Sequence, residues 1–159
     1  MDLTERLSDG EGIFVGSSSS CLCLVHGETV PSQYVPSRPF RINAGAVHSY
    51  VMMANGSTKY LSELSSGDQV AVYSGDGLAK IATIGRLKIE RRPLLKVSMK
   101  SENITGNVIL QQAETVRLVT SSGTAISVTE LSSGDEITVL NEKGMRHIGI
   151  SVQGEVTEK

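Results

Sequence analysis

Apolar side chains in this chain alternate with polar ones over short stretches, and clusters of Gly, Ser, Asn and Asp separate the stretches. A two-residue period puts every second side chain on one face, as in a half-buried strand, and no long stretch keeps the apolar spacing of an amphipathic helix. The pattern predicts strands at 13–15, 21–26, 40–43, 47–54, 59–61, 69–73, 79–90, 94–99, 108–110, 115–120, 125–128, 136–140 and 146–157. Asn55-Gly56, Gly75-Asp76-Gly77, Ser122-Gly123 and Lys143-Gly144 mark hairpin turns between them.

One hexapeptide, ELSSGD, occurs at 63–68 and again at 130–135, an offset of 67 positions. The same offset lays Asn55-Gly56-Ser57 on Ser122-Gly123-Thr124, Val70-Ala71-Val72 on Ile137-Thr138-Val139, and Gly77 on Gly144. A match that spans the hairpins on both sides of the hexapeptide implies a duplicated strand unit. Within each unit Leu64 or Leu131 is expected to plug the core. Gly67 or Gly134 takes a backbone angle other residues avoid, and Asp68 or Asp135 holds the turn amides. Repetition in two environments makes these aspartates architecture, so function is to be sought where the repeats differ. The fold expected is all-β: duplicated small barrel-like units with few helical turns. An amino-terminal hairpin segment covers 1–36, a first β unit 37–100 and a second 101–159.

With 159 residues the chain can bury a sizeable core. No apolar run approaches the roughly 20 residues that span a bilayer, and Asp2, Glu5, Asp9 and Glu11 make the start unlike a signal peptide. A formal charge of −2 gives no overall attraction to nucleic acid or acidic membranes. The two cysteines, Cys21 and Cys23, would face the same side of a strand about 6.5–7 Å apart, too far for a relaxed disulfide. A reducing, cytoplasmic setting is expected. The three histidines, His26, His48 and His147, lack the spacing of a zinc site, so no tightly bound metal is expected.

The repeats differ most at SRPFRINAGAVHSY, residues 37–50, against GNVILQQAETVRLV in the second copy, with IGRLKIERRPLLKV, residues 84–97, between them. Together with GEGIFVGSSSSCLCLVHGE near the start and RHIGI near the end, these blocks closely resemble the carboxy-terminal half of the archaeal-type, or type II, 3-dehydroquinate synthases. The likeness runs from about Gly10 to Lys159. It implies an NAD-dependent enzyme of the shikimate route to aromatic amino acids. Such an enzyme converts 2-amino-3,7-dideoxy-D-threo-hept-6-ulosonate to 3-dehydroquinate by oxidative deamination and carbon–carbon closure. Members of that family are longer, so the amino-terminal half is missing here, and a plastid or other organelle stays open as a location beside the cytoplasm.

Oxidising an amine with a nicotinamide requires a base, cations for the substrate carboxylate and a pyrophosphate site. Strand alternation sets Arg41 and Asn43 opposite Phe40 and Ile42, and groups Arg86, Lys88 and Glu90 opposite Leu87 and Ile89. Residues 86–100 carry six Lys or Arg against the single acid Glu90. Charged residues alternating with Leu and Ile also suit the wet face of any sheet, and pattern alone favours that reading. The resemblance shifts the balance for Arg41, Asn43, Lys88, Glu90 and Arg92. A polar cleft lined by Arg38, Arg41, Asn43, Lys88, Glu90 and Arg92 is expected to bind a small anionic metabolite, with Glu114 of the second unit among its ligands. Lys88 is the expected base or imine-forming amine, oriented by Glu90, with His48 as a proton relay sharing a strand face with Tyr50. Gly16, Ser17 and Ser18, within VGSSSS, are the expected NAD phosphate contacts, although a plain hairpin loop reads equally well and no Gly-x-Gly-x-x-Gly fingerprint is present.

Two other readings compete. A small barrel with a basic strand can bind single-stranded nucleic acid, but no aromatic interleaves the basic residues of 86–100 to stack bases, and none is expected to bind. A truncated, non-catalytic domain is the other. The missing half, or a second copy of the chain, is the expected protein partner.

Overall fold

The computed structural model describes residues 1–101, 104–141, 145–147 and 150–152. The strands are β1 (Asp2–Leu3), β2 (Gly12–Ser18), β3 (Cys21–His26), β4 (Tyr50–Met52), β5 (Thr58–Tyr60), β6 (Gln69–Ser74) and β7 (Gly77–Arg86). They continue as β8 (Leu94–Ser101), β9 (Ile104–Gln111), β10 (Arg117–Val119), β11 (Ala125–Ser127), β12 (Val139–Asn141), β13 (Met145–His147) and β14 (Ile150–Val152). Among the described residues the only helical piece is a 3-10 turn at Leu61–Glu63, and no helix is long and apolar enough to cross a membrane. The protein is all-β.

The hairpin of β2 and β3 is the centre of a ten-stranded sheet ordered β1-β7-β6-β2-β3-β10-β11. Its sequences, GIFVGSS and CLCLVH, are apolar on both faces, which suits strands covered on both sides, and five residues of β2 and all six of β3 are buried. β4 and β6 both pair with β2, while β10 and β12 both pair with β3. The registers reveal more symmetry than the hexapeptide does. Val51 opposes Val15 as Leu118 opposes Val25, and Tyr73 opposes Gly12 as Leu140 opposes Leu22. The outer partners are offset by 67 (51 to 118) and the inner ones by 10 (15 to 25). Within the hairpin the pairs Ile13–Val25 and Val15–Cys23 exchange under the same offset of 10. A pseudo-two-fold axis therefore passes by the Phe14–Leu24 pair.

Both faces of this sheet are packed. Ile13, Val15, Cys21, Cys23, Val25, Val51, Val70 and Leu118 point into the larger core, which Val108 and Leu110 of β9 close from the other side. Phe14, Leu22, Leu24, Met52, Ala71 and Val119 form a second cluster with Tyr50, Tyr73 and Leu140 on the opposite face. Each fully buried aliphatic side chain contributes about 1.5–3 kcal/mol of transfer free energy. β9 can lie close to β3 because Gly106 faces Cys21, where a Cβ would sit 2.7 Å from the Cys21 sulfur.

The duplicated unit is visible bond by bond. β4 and β5 plus 67 are β10 and β11, and the isolated bridge Met53–Val70 recurs as Thr120–Ile137. Asp68 accepts from the Ser65 amide at 2.9 Å and Asp135 from the Ser132 amide at 2.7 Å, with Gly67 and Gly134 at φ 95° and 102°. The two leucines diverge: Leu64 is buried, whereas Leu131 is half-buried.

Three strand expectations are corrected. Residues 40–43 are not a strand, because Arg38 to Arg41 form a turn in which the Arg41 amide donates to the Arg38 carbonyl at 2.8 Å. Pro39 takes the second position of that turn, for which its fixed φ is suited, and Phe40 swings outward while Ile42 is buried. The strand expected over 79–90 stops at Arg86, since β1 offers partners only as far as Asp2, opposite Arg86. His48 lies in the turn ahead of β4, off any strand face. β1 itself has no counterpart in the pattern. The Lys143-Gly144 turn and the end of the expected strand 146–157 lie outside the described residues.

Both cysteines are fully buried and free, and burial pushes the Cys23 thiol up to about 12. Native protein is thus expected to resist an aromatic disulfide reagent while denatured protein titrates both thiols; rapid labelling of the native form would show that the core opens. Gly67→Ala and Gly134→Ala add a Cβ that meets nothing within 4 Å, so each is expected to lower the unfolding free energy by the left-handed backbone cost alone, about 1–2 kcal/mol, in urea titrations. Because the two turns are separate, the losses should add.

Candidate functional site

Three segments far apart in sequence meet at one carboxylate. Asp2 pairs across to Arg86, the last residue of β7, and makes an isolated bridge to Arg41. Its Oδ1 accepts from Arg41 Nε at 2.6 Å and its Oδ2 from Arg41 Nη2 at 3.0 Å. Arg86 Nε donates to the same Oδ2 at 2.8 Å, reinforced by Arg86 Nη2. The Arg41 guanidinium, helped by that of Arg86, holds the Asp2 carboxyl well below the usual carboxylate range, against the opposing effect of burial.

Beyond Arg41 the chain runs along the end of β9. The Ile42 amide donates to the Met1 carbonyl at 3.0 Å, and the Ala46 amide to the Ile109 carbonyl at 3.0 Å. Gly45, at φ 101°, has no room for a side chain, since a Cβ would lie 2.3 Å from the Ile109 oxygen. This close approach leaves a cleft of about 290 Å³, walled by 41–47 on one side, by the irregular segment after Arg86 on another, and by Glu28 and Arg38. All six residues expected in the cleft line it: Arg38, Arg41, Asn43, Lys88, Glu90 and Arg92. Strand alternation is not what brings them together, since neither 40–43 nor 87–93 is a strand.

The lining holds five cationic side chains, Arg38, Arg41, Arg86, Lys88 and Arg92, against three carboxylates, Asp2, Glu28 and Glu90. In a chain of net charge −2 this is a local positive surplus, which attracts anions into a recess where water screens less. The cations are not equally available. Arg41 and Arg86 are committed to Asp2. Arg92 clasps Glu90 through two bonds, of 3.0 and 2.7 Å, on an exposed segment, where such a pair contributes little and can be exchanged for a ligand. Glu90 therefore pairs with Arg92 and not with Lys88, contrary to the orienting role expected for it, and Arg92 lowers its pKa. Lys88 is exposed and makes no ion pair among the described residues. Asn43 donates to Gln111 Oε1 at 2.7 Å, which fixes its amide across from the second repeat.

Other expected site residues lie elsewhere. His48 is exposed beside Val47 and does not line the cleft, nor does Glu114, which is exposed next to the lining residue Thr115. Gly16, Ser17 and Ser18 are strand residues of β2, whose loop is Ser19-Ser20. Gly16 opposes Tyr50 and Ser18 opposes Cys21. A Cβ on Gly16 would lie 2.5 Å from the Cys21 carbonyl oxygen, so packing against β3 accounts for the glycine. Gly16 and Ser18 are thus paired within the sheet, whereas Ser17 lies at an irregularity of the β2–β3 register and its buried hydroxyl has no hydrogen-bond partner among the described residues. Sequence reasoning missed Asp2 and Glu28. Glu28 stood in the matching block that ends HGE; Asp2 stood among the early acidic residues, where nothing local marks it. His26, in contrast, is buried and accepts from the Gly10 amide at 2.9 Å, and burial lowers its pKa.

The repeat explains why there is a cleft on one side. Adding 67 carries Arg41, Ile42 and Asn43 to Val108, Ile109 and Leu110. In the second copy Val108 and Leu110 point into the core as part of β9, whereas in the first it is Ile42 that is buried and the flanking polar residues that face out.

An all-β protein with a cationic recess built on one half of an internal duplication is the class these features define. Over residues 1–159 the chain matches the family described as the 3-dehydroquinate synthase II C-terminal domain. It belongs to that family. It is 46% identical over its whole length to a 3-dehydroquinate synthase of Methanoculleus marisnigri, covering 48% of that protein. It is also 47% identical to a 3-dehydroquinate synthase homolog of Aquifex aeolicus, covering 48%, and 45% identical to the 3-dehydroquinate synthase of Methanothermobacter thermautotrophicus, covering 42%. The chain thus spans about half the length of the curated relatives it matches. No solved structure matches it at a significant level.

Asp2→Asn leaves two guanidiniums around an uncharged amide and is expected to cost about 2–3 kcal/mol of stability. The folded pKa of Asp2 lies below the unfolded value of about 4, so its contribution is complete above that pH and is lost as pH falls below it. The gap between the urea midpoints of the two proteins should accordingly narrow steadily as pH falls below about 4; a gap that stays constant with pH would contradict the ion-pair account.

Proposed function

We propose that the cleft binds the acidic substrate of a 3-dehydroquinate synthase. In this reading the chain supplies part of the site for NAD-dependent oxidative deamination and cyclisation of 2-amino-3,7-dideoxy-D-threo-hept-6-ulosonate to 3-dehydroquinate, in the shikimate route to aromatic amino acids. The observation that carries the proposal is the surplus of cations over carboxylates in a single recess of an acidic chain. Family membership and the names of the relatives support a part in a 3-dehydroquinate synthase.

Arg38, Lys88 and Arg92 are the cations that can turn to a substrate carboxylate, since Arg41 and Arg86 are held by Asp2. Asn43, steadied by Gln111, offers its remaining amide hydrogen and its oxygen to substrate hydroxyl or carbonyl groups. Lys88, an exposed amine of the cleft lining, is the base or imine former in this reading. NAD is assigned mainly to the part of the relatives' length outside this chain, since Gly16 and Ser18 are paired within the sheet, and that part or a second copy is the protein partner that completes the site.

Absorbance of reduced nicotinamide, followed with the amino-heptulosonate and NAD, tests the reading on this chain alone and on the chain joined to the amino-terminal half of the Methanoculleus marisnigri relative. The joined protein is expected to give signal, and Arg38→Ala to lower its kcat/KM about tenfold or more. Silence from both proteins rejects the enzymatic assignment.

A further inference from the structure

The three carboxylates of the cleft are in different states. Asp2 is saturated by two guanidiniums, and Glu90 is exposed and closed by Arg92. Glu28 is neither. Its backbone is fixed on both sides, the amide donating to the Arg41 carbonyl at 2.8 Å and the carbonyl accepting from the Arg38 amide at 2.6 Å. Its side chain is only 9% exposed, and that remnant opens into the cleft. The one side-chain ion pair it makes among the described residues is to Arg38 Nη1 at 3.5 Å, longer than a well-formed charge-assisted hydrogen bond. A buried carboxylate can accept about four hydrogen bonds and is costly to leave short of them. Burial pushes its carboxyl up, opposed by the charges of Arg41 and Arg38, by the contact with Arg38 and by the chain's amino terminus.

The missing donors are what a ligand can bring. A simple carboxylic acid would place a second anion against Glu28 and be repelled, whereas an ammonium would supply up to three N–H donors and a compensating charge. We propose that Glu28 is the receptor for the amino group of the cleft's ligand, so that the site selects an amino acid, its carboxylate turned to Arg38, Lys88 or Arg92 and its ammonium to Glu28. This inference rests on the reading of the cleft as a substrate site. It adds the group that distinguishes an amino acid from other acids of the same shape.

Calorimetric titration of this chain with the amino-heptulosonate and with its 2-hydroxy counterpart, in which oxygen replaces the nitrogen, separates the two ideas. The unaltered chain is expected to favour the amino acid by about tenfold or more, and Glu28→Gln to abolish that preference while leaving affinity for the hydroxy acid within about threefold. If Glu28→Gln does not fold, Glu28→Asp carries the test: it keeps the charge but withdraws it by one methylene, and is expected to weaken binding of the amino acid only. Equal affinity of the unaltered chain for both acids, a preference that survives Glu28→Gln, or an equal loss for both acids in Glu28→Asp overturns the role of Glu28 and leaves the anion cleft standing. Failure of the unaltered chain to bind either acid overturns the cleft reading and this inference with it.

Discussion

The Asp2 carboxylate is the constraint on which the site depends. Two guanidiniums that would repel each other are brought to one anion, and with them come the turn at Arg38–Arg41 and the end of β7. Charge-assisted bonds of this kind are directional, so they set the position as well as the proximity of the segments they join. With Arg41 and Arg86 neutralised, the positive field of the cleft comes from residues that can move, Arg38, Lys88 and Arg92.

Duplication supplies the frame and its breakdown supplies the recess. The central hairpin of β2 and β3 receives two strands of the first copy on one edge and two of the second on the other, about a pseudo-two-fold axis. An exact duplicate would place a β9-like strand at 41–43. Arg41 and Asn43 cannot enter a core without partners, whereas Val108 and Leu110 can, so the first copy turns its segment outward. Gly45 then lets that segment lie against the Ile109 carbonyl, and the gap beside it is the cleft.

How much of this could be read beforehand depended on the range of the interactions. Strand β3 was legible to the residue because CLCLVH is buried on both faces and bounded by turns. The hexapeptide turns were legible because glycine and aspartate act on amides three residues away. Pro39 was the signal overlooked at 40–43: it marks a turn, and the alternation of Phe40, Arg41, Ile42 and Asn43 was mistaken for a strand. The ten-residue offset between β2 and β3 left too little sequence identity to find, since Val15 matches Val25 but Gly12 falls on Leu22.

By itself the sequence determined that the protein is built of strands, that a unit is repeated at 67 positions, and that basic residues collect where the copies differ. These follow from side-chain period, turn chemistry and composition, which act over a few residues. Tertiary structure alone decided that Asp2 meets Arg86, 84 positions away, that Glu28 is buried facing the cleft, and that Gly16 to Ser18 belong to strand β2 and not to the loop after it. Such contacts depend on which strands become neighbours, and that is settled by packing of the whole core and not by any local pattern.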